Sequence, residues 1–359
     1  MKNTKRRRFM KQKNLRIIFF GLVLCMIVPF LLSAAGEKEA VEKERAPFDI
    51  AVFVPGVTAG SPLYEQMANG TKKAVEEYEN ASVKILEAGF NQAEWQEKMT
   101  SLAATMEYEL IVTSNPAMPF IIAEVAKDFP DQKFLNLDAY YKGLPALHTV
   151  LYNQVEQAYF AGYMAGLVTT SNMKGANADL KVGMIVAQEY PALTKMMKPG
   201  YIKGFSAVND KITLDYRVIG NWYDATKASD LANSMFDEGV DIILTIAGGA
   251  GQGVINASKE RGKYVLYFDD NVYHLAPGTI VGCSILRQEK LAQEKIKAAI
   301  EGKLEYGTAQ IVDTRAGYVD WAGDDPLYVE NVPEEIRKKM DDIVKKIKSK
   351  EIKLEVPEL

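Results

Sequence analysis

The stretch DIILTIAGGAGQGVINASKERGKYVLYFD, residues 241–269, decides the fold. It reads as an apolar run of strand length, Asp241 to Ala247, then a glycine-broken loop, the helical segment QGVINASKERG, and a second apolar run, Tyr264 to Asp269. Continuous apolar runs alternating with amphipathic segments mark parallel strands that helices cover on both faces. Working outward, the same pattern predicts strands at Asp49 to Val54, Val83 to Ala88, Leu110 to Ser114, Phe134 to Asp138, Leu180 to Ala187, Leu214 to Gly220 and Thr279 to Leu286. YEQMANGTKKAVEEY, AEWQEKMTSLAATME and ATKASDLANSMFDEG are among the helical stretches between them, and TAQIVDT, residues 308–314, makes a further return.

A break near TVLYNQ, residues 149–154, leaves four βα units before it and a second βα series after it. The expected fold class is therefore α/β, with two doubly wound parallel-sheet lobes joined by a multi-crossing hinge. One lobe takes residues 48–153 plus about 288–312, the other 154–287 plus about 313–359. At 359 residues the chain exceeds what one core usually serves. Facing carboxyl edges would enclose a cleft able to hold a small molecule and to close by hinge motion.

Composition excludes several function classes. A formal net charge of −4, with 48% apolar and 25% charged residues, gives no basic surface for nucleic acid. The positive run KNTKRRRFMKQKNLR, residues 2–16, precedes an apolar segment from Ile17 to Leu32 and then SAAG. That order reads as a secretory signal over residues 1–35, with cleavage expected after Ala35 in preference to lipid attachment at Cys25. GEKEAVEKERAP, residues 36–47, reads as a charged tether. Cys283 would then be the mature chain's single cysteine, an inert thiol in an apolar strand. The two histidines, His148 and His274, are far apart, so neither a metal nor another cofactor is expected.

In FVPGVTAGSPLYEQ, residues 53–66, the first strand runs into a loop and then a helix, with Ser61 as the expected cap and Pro62 at the first helical position. Such a loop lies at the carboxyl edge of a sheet, which places Tyr64 toward a ligand. Asp138 and Asp269 end apolar strands, where a carboxylate needs a hydrogen-bonding partner. AGGAGQG, residues 247–253, lacks the lysine ending of a phosphate loop; its glycines are read as letting the loop lie close to a flat ligand.

EQAYFAGYMAGL (156–167), EGVDIILTIAGGAGQGV (238–254) and KPGYIKGF (198–205) resemble segments of the basic membrane protein family of solute receptors, a branch of the type I periplasmic binding proteins that includes purine nucleoside receptors of ABC importers. The resemblance extends from about Phe48 to Lys303. It implies a type I binding-protein fold, a periplasmic location and an inner-membrane ABC permease as partner. It further implies two stacking aromatics, at Tyr64 and Tyr201, acids at Asp138 and Asp269, and Arg287 at the position of the family's lysine. The opening-loop acids of nucleoside receptors are replaced here by Pro55 and Ser61, while Trp95, Tyr140, Tyr141, Trp222, Tyr223 and Tyr267 add aromatics.

That aromatic surplus is similar to the riboflavin-binding branch, so riboflavin is the expected small-molecule ligand and a purine nucleoside the alternative. Stacking is expected between Tyr64 and either Tyr201 or Trp95, with ribityl hydroxyls donating to Asp138 and Asp269. Asn115, after the third predicted strand, Tyr140, Trp222 and Gly249 complete the candidate set. No Ser/His/Asp or Cys/His constellation marks a catalyst. An extracytoplasmic nucleoside-acting enzyme, or a sensor, shares the fold pattern and is separated by turnover and by genomic neighbours.

Overall fold

The structure is a computed structural model, and it describes residues 46–358. The expected signal segment, Cys25, and the tether up to residue 45 lie outside the described residues.

Twelve strands form two sheets among the described residues. β1 (Phe48–Val54), β2 (Ala81–Glu87), β3 (Leu110–Ser114), β4 (Lys133–Leu137) and β5 (Leu147–Tyr152) are followed by β6 (Lys181–Val186), β7 (Thr213–Val218), β8 (Ile242–Ile246), β9 (Tyr264–Asp269) and β10 (Ile280–Leu286), then β11 (Ala309–Val312) and β12 (Val319–Trp321). The first sheet has the order β11-β5-β4-β3-β1-β2 and the second β12-β10-β9-β8-β6-β7. All pairs are parallel except β12 on β10. The α/β class expected from the sequence holds.

The helices are α1 (Pro62–Val75), α2 (Trp95–Ala104), α3 (Met118–Asp128), α4 (Gln154–Thr169), α5 (Lys198–Ser206), α6 (Ala225–Asp237), α7 (Gly251–Arg261), α8 (Gln288–Ile300), α9 (Pro326–Asn331) and α10 (Glu334–Lys348). α1 packs on α8, α2 on α3, α4 on α5, and α6 on α7. The chain passes between the sheets three times, after Tyr152, after Leu286 and after Val312.

Local chemistry accounts for the element ends. Asn153 caps α4 by accepting from the Glu156 amide, and Asp224 caps α6 by accepting from that of Lys227. Gly262 ends α7 with φ 61°, a left-handed turn that glycine enters without strain. The Ser61 hydroxyl makes no capping bond, contrary to expectation; the Glu65 carboxylate instead accepts from the Gly60 amide at 2.9 Å. Pro62 does occupy the first helical position, where its missing N–H costs nothing.

The motifs EQAYFAGYMAGL and KPGYIKGF form one packing unit, the α4–α5 crossing. A Cβ at Gly162 would lie 2.0 Å from the Tyr201 carbonyl oxygen, and one at Gly204 would lie 2.4 Å from that of Tyr159. The two backbones are in contact, which only glycine permits. Tyr201 is consequently buried in the core, with its hydroxyl donating to the Gly183 carbonyl at 3.2 Å and its ring edge-on to Phe205. We expect Gly162→Ala to cost on the order of 3 kcal/mol of stability, because backbone cannot yield as a flexible side chain does. Urea denaturation checks this; an unchanged midpoint would mean that the helices separate freely.

Candidate ligand-binding cleft

The carboxyl ends of β1, β3 and β4 in one lobe and of β6, β8 and β9 in the other carry the candidate groups. Asp138 follows the last residue of β4 and Asp269 closes β9. Both adopt left-handed backbone, with φ 65° and 79°, which non-glycine residues rarely do and which concentrates at functional sites. Asp138 is only 8% exposed, and its Oδ1 has no hydrogen-bond partner. Asp269 Oδ1 accepts from Gln157 Nε2 at 2.9 Å.

Burial drives both acids toward the neutral form. The carboxyl of Asp138 is pushed well above its ordinary range, first by desolvation and then by the charge of Asp269. Asp269 is raised to about 7 by desolvation, with the Gln157 hydrogen bond opposing and Asp270 adding to the rise. Like charges disfavour each other's ionisation, so the two acids titrate as a pair.

Tyr64 lies in the first turn of α1. Its hydroxyl donates to the Pro55 carbonyl at 3.2 Å and accepts from Asn115 Nδ2 at 3.2 Å. Burial raises this phenol to about 12. Asn115 is itself fixed: its Oδ1 accepts from the Ala117 amide at 2.8 Å, and its backbone exchanges two hydrogen bonds with the Asn136 side chain. The Tyr64 ring is thus held from two sides. A Cβ at Gly56 would come 3.1 Å from that ring and 3.5 Å from Phe90, so the glycine makes room for both.

In the second lobe, Trp222 Nε1 donates to Gln188 Oε1 at 3.2 Å, and its ring lies 6.4 Å from that of Tyr190. A Cβ at Gly248 would sit 3.4 Å from the indole, and one at Gly249 would sit 3.5 Å from the Trp222 carbonyl oxygen. The glycine loop therefore lies against Trp222. Burial raises the Tyr190 phenol, and the charges of Asp138 and Asp269 add to the rise. Its hydroxyl meets Met197 Sδ at 3.6 Å across a π-helical turn, Leu193–Met197. At the rim, Phe90 of the first lobe and Tyr223 of the second meet at 6.2 Å between ring centroids, although 47% and 67% exposed.

The structure thus brings together Tyr64, Asn115, Asp138 and Asp269, with Trp222 and Gly249 on the facing wall. Two other expected residues, Tyr201 and Trp95, lie elsewhere. Tyr201 is walled into the α4–α5 crossing, as described above. Trp95 is buried among Met99, Ala103 and Ile111, its Nε1 donating to the Gly89 carbonyl at 2.8 Å. Neither ring can stack on Tyr64.

Arg287 precedes α8 and pairs with Asp320 at 3.2 Å, not with Asp269. Tyr140 is exposed, whereas its neighbour Tyr141 packs edge-on against Phe120. Three residues absent from the expected set, Tyr190, Phe90 and Gln157, belong to the cleft. The first two sit in loops directly after β6 and β2, a position that could have flagged them; Gln157 lies inside a helix and carries no such signal.

The proton balance has a measurable consequence. Both acids have folded values above the ordinary 3.8, so their contribution to stability is fully present below that value and is lost as pH rises through each folded value, about 7 for Asp269. Asp241, raised to about 6 at the opposite sheet edge, acts in the same sense. His148, lowered by burial, acts oppositely and loses stability on acidification. We expect the ligand-free protein to melt at lower temperature at pH 8 than at pH 5.5, by up to about 1.4 kcal/mol per pH unit for each proton released. Asp138→Asn should flatten that slope in calorimetry; an unaltered slope would assign it to Asp269 and Asp241.

Comparisons with known proteins agree with this architecture. A solute-binding protein of an ABC transporter system from Aeropyrum pernix superposes with a TM-score of 0.73 at 21% identity, covering 87% of this chain and 94% of that one. Basic membrane protein A1 of Borrelia garinii is 25% identical over 271 residues, 74% of this chain and 75% of that protein. The ABC transporter nucleoside-binding protein BmpA of Lactococcus lactis is 28% identical over 152 residues, a stretch spanning 42% of this chain and 41% of the relative. The model of the Bmp family, ABC transporter substrate-binding proteins of the PnrA-like kind, matches residues 48–353. With nearly every described residue inside that match, the chain belongs to the Bmp family of ABC transporter substrate-binding proteins.

Proposed function

We propose that this protein is an extracytoplasmic receptor that captures a purine nucleoside in the cleft and presents it to the membrane permease of an ABC importer. The observation that carries the reading is the pair Asp138 and Asp269, buried acceptors at facing strand ends, with Asp138 Oδ1 left without a donor. A ribose offers adjacent hydroxyl donors to such a pair. The ring of Tyr64 on one wall and those of Trp222 and Tyr223 on the other suit a planar base.

Riboflavin, the ligand first expected, presents ribityl hydroxyls to the same acids. Its wider ring system was to stack against Tyr201 or Trp95, and both rings are committed to cores. The nucleoside asks less of the remaining aromatics, and the Lactococcus relative is named for nucleoside binding. Neither ligand calls for a catalytic group.

Isothermal titration with inosine, guanosine, adenosine and riboflavin tests the proposal directly. We expect a purine nucleoside to bind stoichiometrically without turnover, and its 2′-deoxy form to bind about tenfold or more weakly, because a buried carboxylate then loses its donor. Tight riboflavin binding with no nucleoside binding would overturn the reading, and release of free base would make the protein an enzyme. Tyr64→Ala should weaken binding by about 1–3 kcal/mol through loss of ring contact. Tyr64→Phe keeps the ring and should stay much closer to wild type. Phe90→Ala, which removes the ring contact with Tyr223 across the rim, should accelerate ligand release in stopped-flow fluorescence; an unchanged release rate would separate the rim contact from closure.

A further inference from the structure

The fully buried Gln157 lies in the first turn of α4, one turn beyond the crossing at Asn153. Its Nε2 is 2.9 Å from Asp269 Oδ1 and 3.1 Å from the Ser284 carbonyl oxygen. Both amide protons are therefore committed, one to the acid that ends β9 and one to the backbone of β10. With Oδ1 so engaged, and with no donor from the described residues on Oδ2, the Asp269 carboxylate has one oxygen fixed and one free. We propose that Gln157 is a positioning residue of the cleft, holding the Asp269 carboxylate by one oxygen so that the other meets the ligand hydroxyl.

Two features make this more than a core hydrogen bond. The carboxylate it holds stands on left-handed backbone, which a non-glycine residue keeps only where its surroundings over-determine it. Gln157 itself cannot rotate cheaply, because turning the amide would set its Oε1, already without a partner, in place of the donor. Its neighbour Glu156 accepts from the Thr314 amide at 2.8 Å on the third crossing. Consecutive residues of α4 thus grip the hinge and the binding acid, so the direction of the Asp269 carboxylate is set by the same turn that anchors the lobes.

A neutral donor suits this place. Asp269 faces Asp138 from β4, Asp270 beside it, and the phenols of Tyr152, Tyr190 and Tyr267. A glutamate at 157 would add a fourth carboxyl group to this cluster.

The inference rests on the nucleoside reading for its affinity arm, so the test has a second arm that needs no ligand. In titration calorimetry with inosine, Gln157→Leu should weaken binding about tenfold when Asp269 is present, and by no more than about twofold in an Asp269→Asn background. An equal loss in both backgrounds would make Gln157 merely structural and would overturn the proposal.

In the ligand-free protein, carboxyl-carbon NMR should show the Asp269 titration midpoint move up by about one unit in Gln157→Leu, since a donor to the charged form has been lost. Gln157→Met, which keeps the chain's length, should reproduce that shift at near wild-type melting temperature. An unmoved midpoint in both variants overturns the proposal. A wild type that binds no nucleoside would end the functional reading instead, leaving the carboxyl titration to decide the role of Gln157.

Discussion

Two carboxyl groups that water would ionise are held where ionisation is expensive, at the ends of β4 and β9. The cost of burying one unpaired carboxylate amounts to several kcal/mol even after the protein relaxes, and a second like charge adds to it. A fold keeps such a pair only if something repays the cost, here by donating hydrogen bonds into the gap. The cleft, the left-handed turns that aim the two acids, and the three crossings that bring the lobes face to face all serve this one electrostatic arrangement.

Each crossing carries buried polar contacts. At the first, Asn153 donates through Nδ2 to the Leu354 carbonyl at 2.8 Å, tying the start of α4 to the C-terminal tail. At the second, Gln288 donates to the Leu63 carbonyl and the Ser114 hydroxyl and accepts from Tyr152 through Oε1. At the third, the Thr314 amide is held by Glu156. Buried polar side chains thus tie the hinge alongside the packed apolar residues Tyr152, Val155, Leu286 and Val312. Hydrogen bonds are directional and can be exchanged singly during a rotation, whereas an interdigitated apolar core resists any angle but its own. Lobes joined in this way can open without unfolding either sheet.

The fold was legible because its evidence is additive. Continuous apolar runs such as those of β3 and β8 are buried along their whole length, as parallel strands between helix layers must be. β5 was missed: LHTVLY interrupts its apolar run with His148 and Thr149, and the segment looked like a break between lobes. The structure accommodates both residues inside, His148 Nδ1 lying 2.7 Å from the Glu305 carbonyl oxygen and Thr149 bonding to the Tyr141 backbone. Polar residues in a buried strand are invisible to periodicity when their partners are distant in sequence. β12 is a three-residue antiparallel strand, too short to carry a pattern.

The candidate site was half legible, for a reason that separates its acids from its rings. An aspartate closing an apolar strand has one bland explanation and one functional one, and position along the strand discriminates between them, so Asp138 and Asp269 could be named. An aromatic in an amphipathic helix has no such marker. Tyr201 and Trp95 face inward because their helices bury those faces, and the glycines at 162 and 204 were the sign that Tyr201 belonged to a helix crossing. Of the rings that reach the cleft, Phe90, Tyr190, Trp222 and Tyr223 lie in loops directly after a strand, whereas Tyr64 stands in the first turn of a helix, a place that Trp95 and Tyr201 share while facing inward. In a doubly wound lobe, a place in the loop directly after a strand is therefore a better guide to a cleft position than aromatic character or a helix start, because backbone geometry fixes the first and packing can reassign the others.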